Sequence, residues 1–159
     1  RSTGFPPAFY ACVNESTRAG ECNGPRPTAP NAQEEARAGL ERLVEHFRAT
    51  IDSYKNVSYN ETQTRREFID PFFKALGWDV DNESGYAPAY KDVIHEDAIK
   101  VGGMTKAPDY CFRIGGQRKF FVEAKKPSVD MKNDPEPYYQ LRRYGFSAKL
   151  PLSIVTDFE

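Results

Sequence analysis

Two acidic residues and a lysine in the second half of the chain have types and a spacing suited to binding a divalent metal ion. Asp109 and Glu123 are fourteen positions apart, and Lys125 follows Glu123 by two. Carboxylates and backbone carbonyls are the hard oxygen ligands that Mg²⁺ or Mn²⁺ prefers, and water or substrate phosphate fills the remaining positions. A lysine beside such an ion can orient the attacking water or stabilise charge on the scissile phosphate. These residues suggest metal-dependent hydrolysis of a phosphodiester.

A β-hairpin is the predicted element that would bring these residues together. Residues 110–114 alternate aromatic or apolar side chains with smaller and charged ones, and 120–122 is an apolar run that begins a second strand. The Gly-Gly pair at 115–116 supplies the positive φ angles of a tight turn. Because a hairpin joins its two outer ends, we expect Asp109 and Glu123 to lie side by side.

Strand alternation decides where the side chains at the end of the second strand point. Glu123 and Lys125 share one face, whereas Ala124 points away and leaves its carbonyl free. The alternative is that these charges form an ordinary solvated strand end and that Asp109 is a turn residue after proline. Against this alternative, the run at 120–122 is typical of a strand buried on both faces, and charges that continue such a strand need partners or a metal.

The composition indicates one domain and leaves the class of partner open. The chain has 159 residues, of which 39% are hydrophobic and 13% aromatic, which is enough for a buried core. A formal net charge of -1 does not exclude nucleic acid as a partner, since a basic face can be local. No run approaches the roughly 18 apolar residues of a membrane span. Three cysteines, an odd number, favour a reducing cytoplasm, with Cys111 buried in the predicted strand.

The chain changes character near residue 30. Residues 1–30 are rich in Pro and Gly and predict an irregular N-terminal arm or a non-native leader. From Asn31, which forms a plausible capping pair with Glu34, an amphipathic helix is predicted to end near Lys55. Its apolar residues recur at spacings of three and four: Leu40, Leu43, Val44, Phe47 and Ile51. We therefore predict one domain over 31–159.

A second helix is predicted over 60–78. Asn60, followed three residues later by Gln63, is suited to cap its start. Pro71 lacks an N–H and clashes with the preceding turn, so it should kink or split the helix near Asp70.

The remaining pattern predicts strands, loops and one further helix. The expected elements, in order, are a strand at 78–80, a strand pair across 91–101 with its turn near 96–97, a flexible loop at 102–106, the hairpin, a polar loop at 127–137, a helix at 138–144 and a strand at 150–156. This order predicts the α/β class, with a mixed central β-sheet flanked by helices. Since nothing covers the last strand, we also expect the natural protein to continue.

Six separated segments carry a resemblance to a known family. They are residues 60–65, 68–73, 76–79, 106–110, 121–127 and 140–144. Together they resemble the nuclease domain at the N-terminus of type I restriction R subunits and of single-chain type IIG restriction-modification enzymes, within the PD-(D/E)xK nucleases. The resemblance covers 58–159 and implies a restriction-endonuclease-like core and a Mg²⁺-dependent endodeoxyribonuclease of a restriction-modification system.

The resemblance also implies roles for the residues of the hairpin. Asp109 and Glu123 would hold Mg²⁺, or Mn²⁺ in its place, and the carbonyl of Ala124 would complete the protein ligands. Lys125 would position or activate water for in-line attack on a DNA phosphodiester, leaving a 3′-hydroxyl and a 5′-phosphate.

An acidic residue from the first core helix often joins the metal site in this family. On a helical wheel with Glu61 at zero, Arg65 falls at about 40° and Glu67 at about 240°. The wheel places Glu61 and Arg65 on the side of the helix that faces the core and Glu67 on the opposite side. Arg65 is the natural i,i+4 partner of Glu61. The wheel selects Glu61 as the helix carboxylate, with Glu67 second and Asp70 third. A plain ion pair at the helix edge is the alternative for Glu61.

The helix after the hairpin carries a Gln-x-x-x-Tyr pattern at 140–144, which resembles a motif found downstream of Glu-x-Lys in several branches of the family. Gln140 could hydrogen-bond the lysine, a metal-bound water or a phosphate. A local positive charge suited to a DNA backbone is supplied by Lys126, Arg142, Arg143 and Lys149.

The partners implied are double-stranded DNA, methyltransferase and specificity domains on the same or a partner chain, and a second copy for cutting both strands. Two other functions stay open. One is a structure-specific or single-strand nuclease of DNA repair that uses the same site. The other is a catalytically silent DNA-binding or assembly module of the same fold, against which the intact Asp109, Glu123 and Lys125 argue.

Overall fold

The computed structural model describes residues 30–56 and 58–159. Cys12, Cys22 and all but the last residue of the predicted arm at 1–30 lie outside the described residues. The helical elements are α1 (Pro30–Ala49), α2 (Ile51–Tyr54), α3 (Glu61–Thr64), a π-helical turn (Arg65–Ile69), α4 (Asp70–Ala75) and α5 (Glu136–Ser147). The strands are β1 (Val93–His95), β2 (Ile99–Val101), β3 (Met104–Lys106), β4 (Tyr110–Ile114), β5 (Gln117–Ala124) and β6 (Leu152–Thr156).

A four-stranded mixed sheet forms the centre of the described chain. Its order is β1-β4-β5-β6; β4 pairs antiparallel with both β1 and β5, and β6 pairs parallel with β5. The parallel step is explained by α5, which connects β5 to β6 and packs on the sheet as a crossover helix. The predicted α/β class and mixed sheet flanked by helices are confirmed.

Side chains from both faces of the sheet are buried against helices. On one face, α4 and the π-helical turn pack on the sheet through Ile69, Phe73, Tyr110, Phe112 and Val122. On the other face, α5 packs through Leu141, Tyr144, Cys111 and Phe121. Cys111 is a free, buried thiol, as the sequence predicted. The central hairpin is therefore fixed from both sides.

The N-terminal helix is interrupted where the sequence predicted continuity. Helix α1 ends at Ala49 and α2 starts at Ile51, so Thr50 separates them. Asn31 lies within α1, which begins at Pro30, and so it is not the predicted cap. Phe47 is the buried contact of α1 with Phe68 of the π-helical turn, at a ring-centroid distance of 5.0 Å.

The second helix starts as predicted and contains a wider turn. Asn60 and Gln63 form a reciprocal capping box, which fixes the first helical residue at Glu61. The helical residues run without a gap to Ala75. The regular α-helix is interrupted near Asp70, where the sequence predicted a kink or a split: residues Arg65–Ile69 form a π-helical turn. This widening accommodates a ring that would otherwise clash with the carbonyl four residues earlier.

Three local predictions between the second helix and the hairpin were wrong. Residues 78–80 form no strand, because the side chain of Asp79 accepts backbone N–H groups of the following loop. Strands β1 and β2 exist but do not pair with each other, since β1 joins β4 and β2 joins β3. The supposed flexible loop at 102–106 is the turn and second strand of that β2–β3 hairpin.

Within residues 30–56 and 58–159, no helix combines the length and the apolar character needed to cross a bilayer.

Candidate active site

The β4–β5 hairpin joins Asp109 to the end of β5, as the sequence predicted. Tyr110 pairs with Val122 in the register, so Asp109 lies across from the residues that follow Val122. The backbone N–H of Ala124 donates to Asp109 Oδ2 at 2.8 Å. Antiparallel pairing of β4 with β5 therefore brings together two carboxylates that are fourteen positions apart in sequence. This pairing depends only on the local geometry of the turn.

Glu123 is the most buried acidic residue at this end of the sheet, with 5% of its surface exposed. Its Oε1 accepts hydrogen bonds from Lys125 Nζ at 3.0 Å and from Gln140 Nε2 at 3.1 Å. Its Oε2 is buried without a hydrogen-bond partner among the described residues. Burial and the nearby charge of Asp109 raise the pKa of Glu123 above its ordinary value. The carboxylate therefore retains one buried oxygen that accepts no hydrogen bond from the described residues.

Lys125 connects the end of β5 to the second helix. Its Nζ lies 3.0 Å from Glu123 Oε1 and 3.6 Å from Glu61 Oε1. Burial alone would lower the pKa of Lys125, but the hydrogen bond to Glu123 and the charges of Glu123, Glu61 and Asp109 raise it above its ordinary value. Lys125 is therefore a cation at neutral pH.

The capped start of the second helix places two of its side chains at the hairpin. Glu61 approaches Lys125, while Arg65 Nη1 donates to Asp109 Oδ1 at 2.9 Å. The expected pairing of Arg65 with Glu61 is therefore wrong: the stronger partner is a carboxylate 44 residues away. Sequence reasoning did not assign Arg65 to the site, although the wheel placed it on the side facing the core.

The other two helix carboxylates have different partners. Glu67 is exposed and accepts a hydrogen bond from Tyr59 Oη at 3.1 Å. Asp70 accepts a hydrogen bond from the buried Tyr110 Oη at 2.7 Å. Burial and this bond to Asp70 raise the pKa of Tyr110, so the phenol remains protonated and donates. Of the three candidates, Glu61 is the one that the structure brings to Lys125.

Helix α5, which packs on the other face of the sheet, supplies the side-chain amide of Gln140 to the site. Gln140 Nε2 donates to Glu123 Oε1 at 3.1 Å and to Tyr144 Oη at 2.8 Å. The two residues are four apart on one helical face, so the Gln-x-x-x-Tyr spacing alone aligns them. Burial and the negative charge of Glu123 raise the pKa of Tyr144. Gln140 of the predicted Gln-x-x-x-Tyr pattern therefore contacts Glu123, and Tyr144 contacts Gln140.

The predicted basic residues lie around rather than inside this cluster. Arg142, Arg143 and Lys149 are exposed, and none of them forms an ion pair within the described part of the chain. Lys126 is partly buried and lines a groove beside the start of the second helix, together with Asn60, Glu61, Thr62, Gln63, Arg66 and Glu67. Their contact with DNA stays a prediction.

The donor set of the site fits a hard divalent cation. Among residues 30–56 and 58–159, no group of three or more His, Cys, Asp or Glu side chains is arranged to bind a metal. The protein ligands would therefore be two carboxylates, Asp109 and Glu123, and the carbonyl of Ala124. The unpartnered Glu123 Oε2 is the observation that favours a cation here, because a buried carboxylate oxygen without a donor is unfavourable unless a cation binds it.

Comparison with known proteins finds one relative in particular. Over 122 residues, 76% of this chain, the sequence is 48% identical to the type II restriction enzyme and methyltransferase RM.Eco57I of Escherichia coli. The aligned part is 12% of that enzyme, so the chain spans a small fraction of its relative. No family model matches the chain, and no solved structure matches it. The similarity supports a relation to one part of a restriction-modification enzyme.

Proposed function

We propose that this chain is the metal-dependent DNA endonuclease part of a restriction-modification enzyme. The observation that carries the proposal is the joined end of the β4–β5 hairpin, where Asp109 and the buried Glu123 converge and Glu123 Oε2 has no partner. The relative that is 48% identical is named as both a restriction enzyme and a methyltransferase, which favours the nuclease over a silent module.

Mg²⁺, or Mn²⁺ in its place, would be held by Asp109, Glu123 and the Ala124 carbonyl, and would supply a nucleophilic water and a Lewis acid for the scissile phosphate. The chain's own residues contribute position and charge. Lys125, beside Glu123, would position the attacking water or stabilise negative charge on the phosphate. Gln140 and Lys125 both donate to Glu123 Oε1, so Oε2 is the oxygen of this carboxylate that has no donor among the described residues.

The substrate class proposed is double-stranded DNA. Exposed cations on and after α5, namely Arg142, Arg143 and Lys149, together with Lys126 in the groove, would neutralise backbone phosphates. Such contacts position DNA without reading its sequence. Sequence recognition and methylation would therefore belong to other domains, on the same or a partner polypeptide, and a second copy would cut the second strand.

Cleavage of supercoiled plasmid tests this function. We expect purified protein to nick the plasmid when Mg²⁺ or Mn²⁺ is added, and Asp109→Ala and Lys125→Ala to abolish nicking. Lys74→Ala is the matched control, because Lys74 pairs with Asp81 and Glu83, outside the residues assigned to the site. Nicking that survives both substitutions, or that needs no metal, would show that the proposed site is not the catalytic one.

A further inference from the structure

We propose that Arg65 is a built-in counter-ion of Asp109, which neutralises this carboxylate while no metal is bound and gives way when a metal binds. The inference rests on the proposed function, because it takes Asp109 as a metal ligand. It adds a residue outside the predicted ligand set and assigns to it control of metal affinity.

The first observation is the contact itself. Arg65 Nη1 lies 2.9 Å from Asp109 Oδ1, and the two side chains are 21% and 20% exposed. This is one hydrogen bond rather than a bidentate pair, since the other oxygen of Asp109 is bound to the N–H of Ala124. The contact is partly shielded from solvent, yet it can be released by breaking a single bond.

The second observation is the distribution of charge. Lys125 is occupied by Glu123 at 3.0 Å and by Glu61 at 3.6 Å. Arg65 is therefore the cation that faces Asp109 directly. A divalent ion between Asp109 and Glu123 would bring two further positive charges next to this guanidinium. Like charges in a partly buried site repel, so metal and Arg65 compete for Asp109.

The third observation separates charge from geometry. Asp109 has an anchor besides Arg65, because the backbone N–H of Ala124 donates to Oδ2 at 2.8 Å. Removing Arg65 therefore removes positive charge while this anchor of the ligand stays in place. A residue that only oriented Asp109 would have the opposite effect on metal binding.

The second helix also offers Arg65 another partner. Glu61 lies four residues earlier, on the same helical face, and its side chain is 45% exposed. When Arg65 leaves Asp109, its guanidinium can pair with Glu61 at the edge of the site. The i,i+4 pair expected from the sequence is thus the arrangement we infer for the metal-bound state.

Mn²⁺ binding without DNA, followed by electron paramagnetic resonance, tests this inference independently of cleavage. We expect Arg65→Gln to bind Mn²⁺ roughly tenfold more tightly than wild type, because a like charge next to the ion is removed. Arg65→Lys keeps the charge and should stay close to wild type. Arg37→Gln, which removes an exposed ion pair with Glu41 in α1, is the control and should bind like wild type.

A second measurement needs no substitution. In wild type labelled with ¹⁵N-arginine, addition of Mg²⁺ should shift the side-chain N–H signals of Arg65 as its bond to Asp109 breaks. Unchanged signals at saturating Mg²⁺, or equal or weaker Mn²⁺ binding by Arg65→Gln, would overturn the inference while leaving the nuclease proposal intact. Mn²⁺ binding that persists in Asp109→Ala would overturn both, because Asp109 would then not be a ligand.

Discussion

A partly buried carboxylate, Asp97, and a buried one, Glu123, lie at opposite ends of the β4–β5 hairpin, and the two differ in how their oxygens are satisfied. Over the turn half of the hairpin, Asp97 is 11% exposed and accepts from Arg118 Nε at 2.7 Å and Arg113 Nη2 at 3.2 Å. At the open end of the hairpin, 7% of the side chain of Glu123 is exposed, and Lys125 is the one cation that pairs with it among the described residues. Its second oxygen has no partner, and Asp109 lies nearby.

The pKa directions follow this difference. Burial opposes the charge of Asp97, but hydrogen bonds from Arg118, the Cys111 thiol and Arg113 hold its pKa below the ordinary value. For Glu123, burial and Asp109 act in the same direction, and the pKa is raised. Burial opposes the charge of both carboxylates, yet their pKa values shift in opposite directions. Asp97 is paired with two arginines, and we expect it to stabilise the fold. Glu123 is paired with one lysine and lies near the negative Asp109, so it can bind a further cation.

The largest contrast is expected from neutralising Glu123. Glu123→Gln should reduce metal-dependent cleavage roughly a thousandfold or more, since metal catalysis supplies several kcal/mol. The melting temperature should stay constant or rise, because the amide removes a buried charge beside Asp109 while keeping the side-chain shape. Plasmid nicking and thermal unfolding of the same preparation measure both effects. A variant that cleaves normally, or that is strongly destabilised, would remove the contrast between the two ends.

The same neutralisation at Asp97 should act on stability instead. Asp97→Asn leaves the partly buried Arg113 and the exposed Arg118 without their carboxylate, and we expect a loss of about 1–3 kcal/mol in the free energy of unfolding at pH 7. Glu41→Gln, in the exposed pair with Arg37, should change it by less than about 1 kcal/mol. Urea titration measures both. Cleavage by Asp97→Asn, assayed well below its melting temperature, should stay near wild type.

The pH dependence of this loss has a defined sign. Because the pKa of Asp97 is lowered in the folded state, its stabilisation is fully present above the unfolded pKa of about 4 and is lost as the pH falls through the folded value. The difference between wild type and Asp97→Asn should therefore be constant from pH 5 to 7 and shrink below about pH 4. A difference that is unchanged at pH 3 would contradict the assignment.

Local rules predicted the open end of the hairpin better than its surroundings. The Gly-Gly turn and strand alternation are short-range, and they sufficed to place Asp109 beside Glu123 and Lys125. The capping box at Asn60 is equally local and was predicted as it is found. The same locality misled the expectation for Arg65, because the i,i+4 rule favours Glu61 and contains no information about a carboxylate 44 residues away.

The contacts of Asp97 at the turn half of the hairpin were not predicted, since they depend on pairing between distant strands. Asp97 was expected merely near a turn, yet it packs over β4 and β5 because β1 pairs with β4 rather than with β2. The hydrogen bond from Tyr110 to Asp70 was not predicted either, because a helical wheel contains no information about a partner 40 residues away.

The packing of α5 against β6 is expected to affect the open end of the hairpin less strongly. A Cβ at Gly145 would lie 2.6 Å from Ser153 Oγ on β6, so the helix approaches the strand closely at this point. Gly145→Ala should cost about 1–3 kcal/mol through overpacking and should weaken cleavage, because α5 carries Gln140. In the double variant with Ser153→Ala, both losses should be largely restored. Equal destabilisation with and without Ser153→Ala would exclude this contact as the cause.

The smallest expected effect concerns Cys111, which lies beneath the Asp97 cluster. Burial, with the hydrogen bond to Asp97 and its charge, raises the pKa of the thiol to about 11. The native thiol should therefore react very slowly with iodoacetamide at pH 8, as followed for the Cys111 peptide by mass spectrometry. In Asp97→Asn the charge that opposes ionisation is gone, so the pH at which the alkylation rate is half maximal should fall.

The pH profile separates this electrostatic effect from simple loss of stability. More frequent unfolding would expose Cys111 and raise its alkylation rate at every pH, with a midpoint near that of an unfolded thiol, about 8.5. Release from Asp97 alone would move the midpoint down from about 11 while the thiol stays protected at neutral pH. Glu123→Gln, at the other end of the hairpin, should leave the Cys111 profile unchanged. If instead both substitutions moved it equally, the two carboxylates would form one coupled network, and the contrast between a stabilising end and a binding end would not hold.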